Sequence, residues 1–169
     1  ELTGAGDILF GAAVDGAAAG ADDLALALND NGSVTFAGDV GVGTRLGDLA
    51  VDALATSETL DFQADLRALK LGVTGGGTVN IITGNLTGSG DAVGITAAVT
   101  NVSGLLETTA GSMVFSSNLN LTGALDSAGS VGVGGTTFLG GDITAGSGVA
   151  LQDAVTVSGN RTIELTGAG

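Results

Sequence analysis

Gly32-Ser33-Val34-Thr35-Phe36-Ala37-Gly38-Asp39-Val40 carries a pattern that recurs along the whole chain. Two small residues precede an apolar residue, a spacer and a second apolar residue; three small or polar residues then lead to a third apolar one. The same spacing occurs at Ile8/Phe10/Val14 and Leu60/Phe62/Leu66, and again at Val93/Ile95/Val99, Met113/Phe115/Leu119 and Val149/Leu151/Val155. Degenerate copies sit at Asn80/Ile82/Leu86 and Thr137/Leu139/Ile143. The first three begin at 8, 34 and 60, in steps of 26, and the later ones follow more closely and less regularly. A unit this short cannot bury its own apolar face, so it must lie against its neighbours. The pattern predicts an all-β chain, a parallel β-helix or β-solenoid of about seven to eight coils, roughly 35 Å long at ~4.8 Å per coil.

The 169 residues include 32 Gly and no Pro, Cys, His, Trp or Tyr. Five Phe are the only aromatics, so the core must be built largely from Val, Leu, Ile and Ala. Each fully buried large aliphatic contributes roughly 1.5–3 kcal/mol. Glycine inside a strand costs about 0.5–1 kcal/mol relative to Ala. So many glycines therefore imply a use: positive φ at corners and close approach between coils.

The net charge of −14 excludes a phosphate-neutralising surface, and with it a nucleic-acid partner. It also disfavours anionic lipid headgroups. The acidity is expected to keep a large exposed surface soluble. No apolar run is long enough for a transmembrane helix, so membrane insertion is not expected. Glu1-Leu2-Thr3-Gly4 lacks the marks of a signal peptide, and an export signal is expected outside this segment.

The opening Glu1-Leu2-Thr3-Gly4-Ala5-Gly6 returns as Glu164-Leu165-Thr166-Gly167-Ala168-Gly169. Residues 1–169 are accordingly read as one solenoid segment holding about one 163-residue period (1–163) of a longer tandem array, with 164–169 repeating 1–6. Leu24, Leu26 and Leu28 alternate with small or polar residues, as in a half-buried strand. Asn29-Asp30-Asn31-Gly32 forms a turn. Residues 46–73 admit two assignments. Phe62, Leu66, Leu69 and Val73 fall at helical spacing, whereas Leu60/Phe62/Leu66 and Leu69/Leu71/Val73 fit strands and match the rest of the chain; strands are preferred.

No catalytic, cofactor or metal residue is assigned, and no enzymatic activity is expected. Without His or Cys, the usual triads and zinc sites cannot form. Asp22-Asp23 is the only adjacent acidic pair, and Arg45, Arg67, Lys70 and Arg161 are scattered. Gly4-Ala5-Gly6-Asp7-Ile8 and Gly88-Ser89-Gly90-Asp91-Ala92-Val93 each echo half of a calcium-binding solenoid turn, but nothing repeats at nine residues. Solvated turn aspartates are expected there, with calcium as the one cofactor alternative. Asn31, Asn85, Asn101, Asn120 and Asn160 begin glycosylation triplets.

The phrasing of residues 6–16 and 32–41 resembles the repeats of filamentous haemagglutinin-like proteins, large bacterial exoproteins of the two-partner-secretion and autotransporter type. That resemblance implies a right-handed parallel β-helix, export to the cell surface, and a role in adhesion or surface structure. Neither end carries a recognisable polar cap, so continuation into further repeats or end-to-end stacking into a filament is expected. The alternatives are an extracellular module binding calcium or a cell-surface glycan, and, further off, a polysaccharide-degrading solenoid enzyme. An antiparallel β-sandwich is the rival fold, against which the missing Pro, Trp and Tyr weigh.

Overall fold

The computed structural model describes residues 6–28 and 32–167. Among them are eighteen strands, no helix, and strand ladders that run parallel. Three columns of inward residues follow the axis. The first aligns Ile8, Val34, Leu60, Val79, Thr100, Leu119, Thr137 and Val155. The second aligns Val14, Val40, Leu66, Gly84, Leu106, Leu125, Ile143 and Ile163. The third aligns Leu24, Leu49, Leu71, Val93, Met113, Val131 and Val149. Each lap therefore has three sides, and the protein is a parallel β-solenoid. Laps are numbered from the first column, lap 1 at Ile8 to lap 8 at Val155.

Only the six rungs from Val34 to Thr137 are buried in the first column, so the closed interior has about six turns rather than seven to eight. The outer laps are covered on one side only. Ile8 is half-buried, and in the last lap Val157 and Leu165 are 55% and 57% exposed.

Residues 46–54 and 59–73 are extended, within strands Leu46–Leu54 and Thr59–Gly75, with a turn at 55–58 between them. Their apolar residues have partners one lap away that a local helix would forgo. Leu60 and Phe62 lie under Val34 and Phe36, and Leu71 and Val73 lie under Leu49 and Val51. The constant step of the first laps places Phe10, Phe36 and Phe62 in one stack, with centroids 4.6 and 5.1 Å apart and planes within 4°. Leu69 falls outside the core and is only half-buried.

The inward frame of lap 4 differs from the sequence expectation by one residue. Val79 and Ile81 face the core, whereas Asn80 is half-buried and Ile82 is exposed on the outside. In lap 5 the inward pair is Thr100 and Val102, with Val99 left outside the buried set. Alternation wins over hydrophobicity at such positions, because slipping one residue would turn the whole strand inside out. The interior also admits Thr108 and Ser127, whose hydroxyls close a small network: Thr108 Oγ1 donates to the Gly111 carbonyl at 2.6 Å and lies 3.1 Å from Ser127 Oγ.

Glycine serves close approach more than positive φ. Gly41, at φ +67°, is one of five left-handed glycines among the described residues, and a Cβ there would also strike the Arg67 carbonyl. At Gly104, Gly123 and Gly141 φ is ordinary. A Cβ on Gly141 would meet the carbonyl of Gly123, and one on Gly123 that of Gly104, so this corner stacks backbone directly on backbone.

Candidate functional site

The three outer faces differ. The first carries an amide ladder in register, Asp61, Asn80, Asn101 and Asn120. Asn80 Nδ2 donates to Asp61, Asn101 Nδ2 to Asn80 Oδ1 at 2.6 Å, and Asn120 Nδ2 to Asn101 Oδ1 at 2.9 Å. The third face is smooth: Ala50, Gly72, Gly94, Val114 and Gly132 occupy one outward column. The second face holds a cleft of ≈ 440 Å³.

The cleft arises from corner length. Three residues separate Phe62 from Leu66 in lap 3 and Val102 from Leu106 in lap 5, but only two separate Ile81 from Gly84 in lap 4. The mismatch appears as a bulge in the ladder between laps 3 and 4, a device that re-aims side chains. The shorter corner draws lap 4 in between its neighbours. Thr83 and Asn85 then form the floor, Asp65 and Arg67 of lap 3 one wall, and Leu105 and Glu107 of lap 5 the other.

Hydrogen bonds fix most of these side chains. Thr83 Oγ1 donates to Asp65, and Asn85 Nδ2 donates to Glu107 Oε2 at 2.5 Å. Arg45 reaches across from lap 2 and donates to Asn85 Oδ1 at 3.2 Å, to the Ala68 and Asn85 carbonyls at 3.2 and 3.1 Å, and to Thr87 Oγ1 at 3.2 Å. Asn85 thus joins a cation to a carboxylate. Arg67, exposed on the rim, donates no side-chain hydrogen bond among the described residues. Leu105 is 46% exposed, an apolar patch beside the polar floor.

The carboxylates singled out in the sequence mostly serve backbone amides. Asp22 Oδ2 accepts the Ala18 amide at 2.7 Å, and Asp23 Oδ1 accepts that of Asp48 in the next lap at 2.7 Å. Asp7, half of a calcium-like turn, accepts the Ser33 amide at 2.9 Å. Asp91, at the other such turn, is exposed, and the residues before Gly6 lie outside the described residues. Among the described residues, no three acidic side chains gather as a metal-ion cage. Of the glycosylation triplets, Asn101 and Asn120 belong to the amide ladder, Asn85 to the cleft floor, and Asn160 to an exposed loop of the last lap. Asn31 and most of the turn 29–32 lie outside the described residues, as do residues 1–5 and 168–169 of the terminal repeat. Lys70 lies in the lap 3 strand away from the cleft, and Arg161 is exposed in lap 8.

The amide ladder and the cleft could have been found in the sequence only by counting residues between inward pairs. The steps from Asn80 to Asn101 and from Asn101 to Asn120 are unequal, and both are shorter than the step that repeats through the first laps. No protein-family model, curated protein or solved structure matches the chain.

Proposed function

We infer that the chain is a structural and adhesive segment of a large, secreted bacterial surface protein, an extracellular β-solenoid rod that lengthens by stacking lap on lap. The observation supporting this is the repetition of one lap along the chain, with three inward columns in register that run on into the last lap. Val155, Val157, Ile163 and Leu165 are 41–57% exposed, while their counterparts one lap inward, Thr137, Leu139, Ile143 and Ala145, are at most 3% exposed. A lap laid on them would bury the same columns again and pair the free strand edge, which otherwise invites association. The charge of −14 suits such a rod, since like-charged sides repel and leave the ends as the sites of contact. No catalytic role is part of this reading.

Electron microscopy of the purified chain, with sedimentation over a concentration series, provides the test. Thin unbranched rods that grow with concentration are expected. Leu165→Asp combined with Val157→Asp, both on the open lap, should cap growth without altering the circular dichroism of the remaining laps. Compact particles that never elongate, for this chain and for chains extended by a further period, would refute the proposal.

A further inference from the structure

The second-face cleft has the makings of a ligand site that assembly does not use. Its six outward side chains form a grid of three laps by two columns: Asp65, Thr83 and Leu105, beside Arg67, Asn85 and Glu107. Adjacent laps lie ~4.8 Å apart and outward neighbours on one strand ~6.6 Å apart, so the diagonal from Arg67 to Leu105 is about 12 Å. The volume falls within the ~300–1,000 Å³ of small-molecule sites.

Each position has a defined spare capacity. Thr83 occupies one oxygen of Asp65, and Asn85 one oxygen of Glu107; the second oxygen of each carboxylate remains as an acceptor. Asn85 is held by Arg45 on one side and Glu107 on the other, so the floor is set in advance. Among the described residues, Arg67 keeps its guanidinium fork uncommitted. Two of the four cations of a chain with net charge −14 meet in this cleft, and only one of them is used internally. A free guanidinium pairs best with a planar carboxylate, bidentately. Carboxylate oxygens flanking it accept hydroxyls, and Leu105 offers an apolar surface to a ring face.

We propose that this cleft binds a carboxylated saccharide, its carboxylate on Arg67, its hydroxyls on Asp65 and Glu107, and a neighbouring ring against Leu105. A diagonal of about 12 Å exceeds a single sugar ring, so the ligand is a disaccharide unit or longer. The inference deepens the adhesive role proposed above and rests on it for its biological setting.

Titration calorimetry with a hyaluronan hexasaccharide, which carries a carboxylate on alternate rings, and with neutral, fully N-acetylated chitohexaose tests it. Hyaluronan is expected to bind at least tenfold more tightly, through the local pairing of its carboxylate with Arg67. Arg67→Gln should weaken hyaluronan binding about ten- to a hundredfold, the scale of hydrogen bonds between charged groups, and abolish the preference over chitohexaose. Arg67→Lys should retain part of it. Arg67 is exposed, so these variants should keep the wild-type circular dichroism. Equal binding of both sugars, binding unchanged by Arg67→Gln, or no binding at millimolar sugar would each overturn the proposal. Rod formation is read separately on the same samples. Arg67→Gln protein that loses the sugar but still elongates confirms the cleft as distinct from the ends, whereas intact sugar binding without rods counts against the assembly reading alone.

Discussion

Truncating Phe36 to Ala should unfold one end of the rod and leave the other standing. Phe36 is fully buried between Phe10 at 4.6 Å and Phe62 at 5.1 Å, with all three rings parallel. Phe→Ala substitutions in cores cost about 3–5 kcal/mol. Here two ring contacts disappear, each worth roughly 0.5–1.5 kcal/mol, and the rings on either side sit in rigid laps that cannot close the void. A value near the top of the range, about 4–5 kcal/mol, is expected. Phe10 is half-buried with one ring partner, so Phe10→Ala should cost about 2 kcal/mol. Phe36→Leu keeps most of the volume and should cost under about 1.5 kcal/mol. Because each lap touches only its neighbours, the damage should stay local. Hydrogen exchange read by mass spectrometry should show protection lost over residues 8–66 and retained over 113–145. Equal costs for Phe10→Ala and Phe36→Ala in urea melts, or equal loss of protection at both ends, would refute the reasoning.

Thr137 is an inward rung whose buried hydroxyl has no hydrogen-bond partner among the described residues. Thr137→Val removes that orphan at constant shape and should stabilise the protein by about 1 kcal/mol in urea melts; unchanged or lowered stability would mean that the hydroxyl is satisfied. Asp23 and Asp126 separate clamp from surface charge: Asp23→Ala removes the 2.7 Å acceptor of the Asp48 amide and should cost roughly 0.5–1.5 kcal/mol, most of it restored by Asp23→Ser. Asp126 stands in register beside Glu107, so Asp126→Ala should be neutral or slightly stabilising by relieving like-charge repulsion. Equal destabilisation by Asp23→Ala and Asp126→Ala in the same melts would contradict this division.

The fold was legible where lap length was constant. Phe10, Phe36 and Phe62 recur at one fixed interval, so a repeat visible by eye is also a stack in space. From lap 4 onward the first column advances in shorter, unequal steps, through Val79, Thr100, Leu119, Thr137 and Val155. Corners change length there while the flat sides keep theirs. Apolar content then misleads, because Ile82 lies outside and Thr100 inside. Strand alternation and hydrophobicity disagree at those positions, and the ladder to the neighbouring laps decides. The cleft was invisible for the same reason: it is the absence of one corner residue between Ile81 and Gly84, and no residue type announces it. Arg45 and Arg67, well separated in sequence, meet only because laps 2 and 3 overlie one another.

The clamps follow a rule that accounts for four of the 18 acidic residues. Asp7, Asp23, Asp39 and Asp142 each stand immediately before the first inward residue of a side, Ile8, Leu24, Val40 and Ile143. Each accepts the amide that stands at the corresponding place one lap on, at Ser33, Asp48, Asp65 and Thr162. At a corner the backbone turns away from the ladder, so that amide has no carbonyl in line, and a short side chain supplies the oxygen. Ser112 and Asn118 do the same for Ser130 and Thr136 without any charge. The geometry therefore requires a short acceptor, not a carboxylate. Where aspartate was used nonetheless, the extra charge is free to act between molecules. Asp7, Asp23 and Asp142 are exposed and Asp39 is half-buried, so this charge lies on the outer surface at three corners of laps 1 and 2 and one of lap 7. Substituting the four clamp aspartates with serine or asparagine should accordingly leave each lap folded, with an unchanged circular dichroism spectrum and urea midpoint, whereas alanine at the same four positions should lower the midpoint.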